Sequence, residues 1–150
     1  MVVNEVSASN SIYVNEYYKK RDWVELYNCT DADIELAGMF LSDDASDPHK
    51  YAISSADDDG STIIPARGYK VIWCDEMDGQ TQLHASFKLG NDDNELVMLT
   101  ARDDSWADTL VYCRHDGTYA VGRFPDGSAN VYLTPRPTIG KTNRFHANAE

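Results

Sequence analysis

At 150 residues, with 13 basic and 25 acidic side chains and a formal net charge of −12, the chain has the length of one compact domain and a field that repels phosphate backbones and anionic lipid. Nucleic acid is therefore disfavoured as a partner, and so is membrane insertion, since no stretch approaches the roughly 18 apolar residues of a spanning helix. Asp outnumbers Glu by 18 to 7, which places most of the acid in turns and loops rather than in helices.

Apolar runs rich in β-branched and aromatic residues, each bounded by Gly, Pro, Asp or Asn, predict strands at Val2 to Val6, Trp23 to Asn28, Met39 to Leu41, Tyr51 to Ile53, Tyr69 to Cys74, Leu96 to Thr100, Trp106 to Tyr112 and Asn130 to Leu133. This is the rhythm of a β-sandwich. Between the first two runs, Asn15 to Arg21 has room for at most two helical turns. In Asp22-Trp23-Val24-Glu25-Leu26-Tyr27-Asn28 the alternation is strict, so Val24 and Leu26 face one way and Trp23, Glu25 and Tyr27 the other. Acidic clusters at Asp43-Asp44, Asp57-Asp58-Asp59, Asp92-Asp93 and Asp103-Asp104 fall between apolar runs.

Ile64-Pro65-Ala66-Arg67-Gly68 predicts a turn in which Pro presets one torsion and Gly takes the positive one, and Pro125-Asp126-Gly127 predicts a second. In the Tyr69 strand, Tyr69, Val71 and Trp73 share one face, and Lys70, Ile72 and Cys74 the other. His84 to Lys88 reads as an apolar and cationic stretch in a long loop. The chain divides into a domain over 1–143 and a tail or linker over 144–150, since periodicity is lost from Lys141 onward. The start, Met1-Val2-Val3-Asn4, lacks the regions of a signal peptide, so an exported parent would have lost its signal.

Sharp catalytic and metal motifs fail on spacing. His84 has Lys88 where a zinc-protease helix needs its second His, and no Gly-x-Ser-x-Gly window occurs. Loops starting at Asp31 or Asp57 lack the Gly and Glu of an EF-hand, and Gly140-Lys141-Thr142 copies only the end of a phosphate-binding loop. Asn28-Cys29-Thr30 fits a glycosylation acceptor only in a eukaryotic secretory setting. Cys29, Cys74 and Cys113 have no zinc spacing, leaving one disulfide plus a free thiol, or three separate buried thiols. His49, His84, His115 and His146 are expected as exposed or hydrogen-bonded loop side chains.

Two constellations remain. Glu5, Asp22, Glu25, Asp43 and Asp44 are the candidate ligands of a calcium ion, because neighbouring first and second strands would put Glu5 beside Glu25, where two carboxylates repel, raise a pKa or hold a hard cation. The alternative is that the Asp residues cap turns while the Glu residues meet cations or solvent. Trp23 and Tyr27, joined by Tyr17 and Tyr18, are the candidate stacking surface for sugar rings or a partner domain, with core packing as the alternative.

The segments Asn4-Glu5-Val6-Ser7-Ala8-Ser9-Asn10, Asp22-Trp23-Val24-Glu25-Leu26-Tyr27-Asn28 and Leu36 to Asp44 resemble the opening of the bacterial lamin tail domains. Ile64-Pro65-Ala66-Arg67-Gly68-Tyr69, Leu83 to Leu89, Gly122-Arg123-Phe124-Pro125-Asp126-Gly127 and Thr134-Pro135 through Gly140 continue the resemblance in the same order. Arg67 departs from it, standing where the family's Pro-Ala-Gly-Gly type of turn has a small residue. The resemblance implies an all-β, immunoglobulin-like β-sandwich of two antiparallel sheets, without catalysis or a required cofactor, from a larger exported or cell-surface bacterial protein. The expected function is a binding or scaffolding module whose partners are proteins, cell-surface glycan or neighbouring domains. The alternative is a calcium-dependent or carbohydrate-binding accessory domain of an extracellular hydrolase. A cleft joining His84 or His115 to two carboxylates would instead favour a hydrolase.

Overall fold

The computed structural model describes residues 1–54, 62–77 and 83–144, so Asp57-Asp58-Asp59, His146 and residues 145–150 lie outside the described residues. Among the described residues twelve strands form: β1 (Val2–Ser7), β2 (Asp22–Tyr27), β3 (Ile34–Glu35), β4 (Phe40–Ser42), β5 (Tyr51–Ala52), β6 (Ile63–Ile64), β7 (Tyr69–Cys74), β8 (His84–Ala85), β9 (Glu95–Thr100), β10 (Ala107–Tyr112), β11 (Ala120–Arg123) and β12 (Val131–Thr134). They make a six-stranded sheet in the order β12-β11-β1-β2-β7-β8, a four-stranded sheet β10-β9-β4-β5 and a small pair β3-β6. The fold is an all-β, immunoglobulin-like sandwich. Its pairings are antiparallel apart from β7 with β8, which run parallel.

The core is where the two large sheets face each other. Val24, Leu26, Ile72 and Cys74 project from the six-stranded sheet, and Leu41, Val97, Leu99 and Leu110 from the four-stranded one, all fully buried. A regular strand would send Val3 and Val6 to opposite faces. A bulge between Val3 and Glu5 inserts one residue, so Val3 pairs with Leu26 and Val6 with Val24, and both valines reach the core. The backbone groups this frees find other partners: the Val3 amide donates to Asp108 Oδ2 at 2.8 Å and the Val3 carbonyl accepts from Arg123 Nε at 2.8 Å. Asp108 and Arg123 themselves pair at 3.2 Å, tying β10 to β11 across the bulge.

The opposite face of the six-stranded sheet is covered too. Residues 135–143 cross it as a strap, and Tyr13 stands over Trp23 with ring centroids 6.1 Å apart while its hydroxyl donates to the Pro137 carbonyl. Asn143 pins the strap by donating from Nδ2 to the carbonyls of Asn4 and Arg123, so part of the aperiodic C-terminal stretch is ordered against the domain. Gly122 makes room for it. A Cβ there would lie 2.8 Å from Asn143 Nδ2 and 3.1 Å from the Asn4 carbonyl. Gly122→Ala should therefore cost about 1–3 kcal/mol through overpacking against a fixed amide, read as a lowered Tm; an unchanged Tm would show that the strap gives way freely.

Both expected turns form, one by a different route. Gly127 takes φ +77°, and the Ser128 amide donates to the Pro125 carbonyl at 3.0 Å. In the Pro65 turn Arg67 adopts the positive φ, +58°, while Gly68 is required because a Cβ would lie 2.9 Å from the Pro65 carbonyl.

Candidate functional site

The connection from β1 to β2 forms no helical turns. Buried Asn10 and Asn15 capture its backbone instead: Asn10 Oδ1 accepts from the amides of Ile12 and Tyr13, and Asn15 Oδ1 from those of Tyr17 and Lys19. The Asn15 amide also donates to the Lys19 carbonyl, and Tyr18 takes φ +62°. The result is a fixed loop that presents Tyr17, Tyr18 and Lys19 outward.

An imidazole anchors this loop to the sheet edge. His84, fully buried on β8, has Nδ1 2.6 Å from Asp75 Oδ2 and Nε2 2.8 Å from Glu16 Oε2. Burial opposes its charge, but the hydrogen bonds to Glu16 and Asp75 outweigh it and raise its pKa. The imidazolium donates to both carboxylates. Tyr17 lies against the ring at 5.7 Å between centroids.

Beside this clamp opens a cleft in two lobes. The larger, about 710 Å³, is lined by Asn15, Tyr17, Lys19, Arg21 and Lys88 together with Asp75, Glu76 and Met77. The smaller, about 350 Å³, shares Arg21 and Lys88 and adds Lys20, Asp22 and the chain around Ser9. Four of the 13 basic residues thus meet at one end of a strongly acidic domain. The carboxylates beside them are largely engaged: Asp22 accepts from the amides of Ser9 and Leu89, and Asp75 from His84 and the Met77 amide.

The sequence comparison decides the family. A family model described as Lamin Tail Domain matches residues 5–114, well over half of the chain. The chain belongs to the lamin tail domain family. No curated protein and no solved structure matches it. The family is immunoglobulin-like and generally non-catalytic.

In this lamin tail domain the five carboxylates expected around calcium do not meet. Glu5 and Glu25 are directly paired across β1 and β2. Asp22 lies at the cleft end of β2, while Asp43 pairs with Lys50 at 2.8 Å and Asp44 accepts from the Ser46 amide and hydroxyl near the end of β4. Among the described residues no group of three or more His, Cys, Asp or Glu side chains is placed to hold a metal ion. The set is split three ways: Glu5 and Glu25 lie together under the strap, Asp22 stands at the cleft end of β2, and Asp43 and Asp44 sit in the turn after β4.

The Glu pair instead receives the strap. Glu5 accepts from the Thr138 amide at 2.9 Å and hydroxyl at 3.0 Å, and Glu25 Oε2 from the Gly140 amide at 2.6 Å. Glu25 Oε1 is buried without a hydrogen-bond partner. Burial pushes both carboxyls up, Glu5 well above its ordinary value and Glu25 to about 8.

The stacking surface also needs correction. Trp23 is fully buried beneath Tyr13, so it presents no ring to a ligand. Tyr27 is half-buried against Tyr69 at 5.1 Å. Alternation sorted these residues onto one face correctly, but loop segments without any period cover that face. Of the expected aromatic set, Tyr17 and Tyr18 remain exposed, at 41 % and 87 %.

Other expectations shift as well. His84 belongs to a strand and Phe87 and Leu89 to the core, so the stretch expected as a loop is largely interior. His115 is buried, accepting the Ala8 amide at Nε2 and donating from Nδ1 to the Cys113 carbonyl, while His49 is exposed beside Asp104. The three thiols are unbridged, with Cys74 buried, Cys29 half-buried and Cys113 exposed. Asn28 is buried, with Nδ2 given to three carbonyls, which removes it as a glycan acceptor. His84 does join two carboxylates beside a cleft. Both its nitrogens are occupied and its ring is enclosed, so it has no nitrogen left to activate a nucleophile.

Proposed function

We propose that this lamin tail domain is a non-catalytic binding module of a larger, exported or cell-surface bacterial protein, engaging a protein or cell-surface glycan through the two-lobed cleft. The observation that carries this reading is the cleft's construction: a loop fixed by two buried asparagines and clamped by His84 holds cations and the Tyr17 ring around an open volume. Each lobe lies within the ~300–1,000 Å³ usual for ligand sites. Prearranged side chains beside an enclosed imidazole suit recognition better than turnover.

The test is saturable binding of the labelled domain to bacterial envelope preparations, with parallel assays on ester, glycoside and phosphate substrates. Binding weakened by Lys19→Gln/Lys20→Gln, with no turnover, is the expected result. Turnover by the domain alone, or envelope binding indifferent to these changes, would overturn it.

A second reading, a calcium-dependent or carbohydrate-binding accessory domain of an extracellular hydrolase, draws on the unpartnered Glu25 Oε1 beside Glu5 and on the exposed tyrosines. Calcium titration of chelator-treated protein that gives neither heat nor a change in Tm removes its calcium component.

A further inference from the structure

The cleft's walls define a ligand more narrowly. We propose that it binds an acidic saccharide, a sugar chain carrying uronic-acid carboxylates; this rests on the reading of the cleft as the domain's binding site. Among the described residues, Lys19, Lys20 and Arg21 form no ion pair. Arg21 Nη1 donates only to the neighbouring Lys20 carbonyl. Lys88 reaches Glu76 at 3.7 Å between two largely exposed side chains, a pairing that solvent screens and that leaves the ammonium available. Asp22 and Asp75 already serve amides and an imidazolium, so a ligand carboxylate meets these cations with only the solvent-screened Lys88–Glu76 contact to displace.

The same walls argue against a densely charged polyanion. A duplex carries about one charge per 1.7 Å and would be repelled by the rest of a chain of net charge −12, whereas a uronate chain carries at most one charge per ring. Exposed Glu76 supplies an acceptor that sugar hydroxyls satisfy and that the carboxylates of an acidic peptide cannot. Tyr17, which lines the larger lobe and is exposed on the fixed turn that also carries Lys19, offers a flat face on which the C–H side of a sugar ring stacks. Cation, acceptor and aromatic face together match a ring bearing one carboxylate and several hydroxyls.

Calorimetric titration of the full chain with a tetragalacturonate, a neutral tetrasaccharide of equal length and an acidic tetrapeptide tests the assignment. The tetragalacturonate should bind saturably and more weakly as salt rises, at least about tenfold tighter than either comparison ligand. Arg21→Gln and Lys88→Gln should each weaken it about tenfold, as loss of a charge-assisted hydrogen bond does, without lowering Tm, and Tyr17→Ala should weaken it while keeping the salt dependence. Equal binding of the neutral sugar or the peptide, or indifference to Arg21→Gln and Lys88→Gln, would overturn the proposal. Envelope binding that persists, depends on Lys19 and Lys20, and is not competed by tetragalacturonate would overturn the acidic sugar alone and leave the binding module standing. Loss of envelope binding and of tetragalacturonate binding together would overturn both.

Discussion

Thermal stability should fall as pH rises from about 4.5 to about 8, and Glu25→Gln should make that fall shallower, Glu5 and His84 keeping the rest. The unfolded chain ionises Glu25 near its ordinary value of 4.5, while the folded chain, burying it beneath the strap, retains the proton until about 8. A carboxyl with a raised folded pKa contributes stability that is complete below the unfolded value and lost as pH climbs through the folded one. The loss is about 2–4 kcal/mol, discounted for coupling to Glu5, or roughly 5–15 °C in Tm for a domain of this size. Glutamine keeps an acceptor for the Gly140 amide, has no proton to lose, and brings an N–H toward Glu5. Melts of both proteins at pH 5 and pH 8 decide the matter. A wild type more stable at pH 8, or a Gln variant with an unchanged slope, would show that the pair is ionised at both pH values.

His84→Ala should be the most damaging single change in the clamp, at about 3–5 kcal/mol, the usual cost of removing one partner from a buried charge pair. Asp75, its carboxylate only 2 % exposed, would lose the imidazolium and, among the described residues, keep the Met77 amide, while Glu16, 48 % exposed, would swing into water. Glu16→Gln, which leaves the Asp75 contact intact, should therefore cost much less. Denaturant melts of the two variants supply the comparison, and equal costs would place the stability of the clamp in the Glu16 contact. The raised His84 pKa adds to the alkaline loss seen with Glu25, because a histidine gaining acidic partners stabilises the fold below its unfolded pKa and ceases to as pH rises through the folded value.

How much of this was legible in the sequence depended on period. The strands containing Val3, Val24, Ile72, Val97 and Leu110 announce themselves because apolar and β-branched residues recur within runs of useful length. β11 was missed because Gly122 and Arg123 interrupt its apolar pair, and both have specific tasks: one clears the strap and the other serves the bulge. β3, β6 and β8 are two residues long, too short for any alternation to register. The adjacency of Glu5 and Glu25 followed from assuming that β1 and β2 are neighbours, and it holds. What covers them did not follow, since a strand pattern sorts residues between two faces without saying whether the second face is wet. The clamp was hidden for another reason: Glu16 and His84 are 68 positions apart, and nothing local marks them as partners.

β1 is among the first segments of the described chain and lies between β2 and β11 in the six-stranded sheet. One neighbour follows within a few tens of residues, but the other comes only near the far end, with the donors for both buried glutamates later still, at Thr138 and Gly140. During synthesis the β1–β2 hairpin must wait, one hydrogen-bonding edge bare, until β11 and the strap, more than 110 residues after β1, have left the ribosome. Assembly of the domain therefore ends by stitching β11 and the strap onto β1, a long-range closure that makes folding slow and exposes the unfinished edge to wrong partners in the interval.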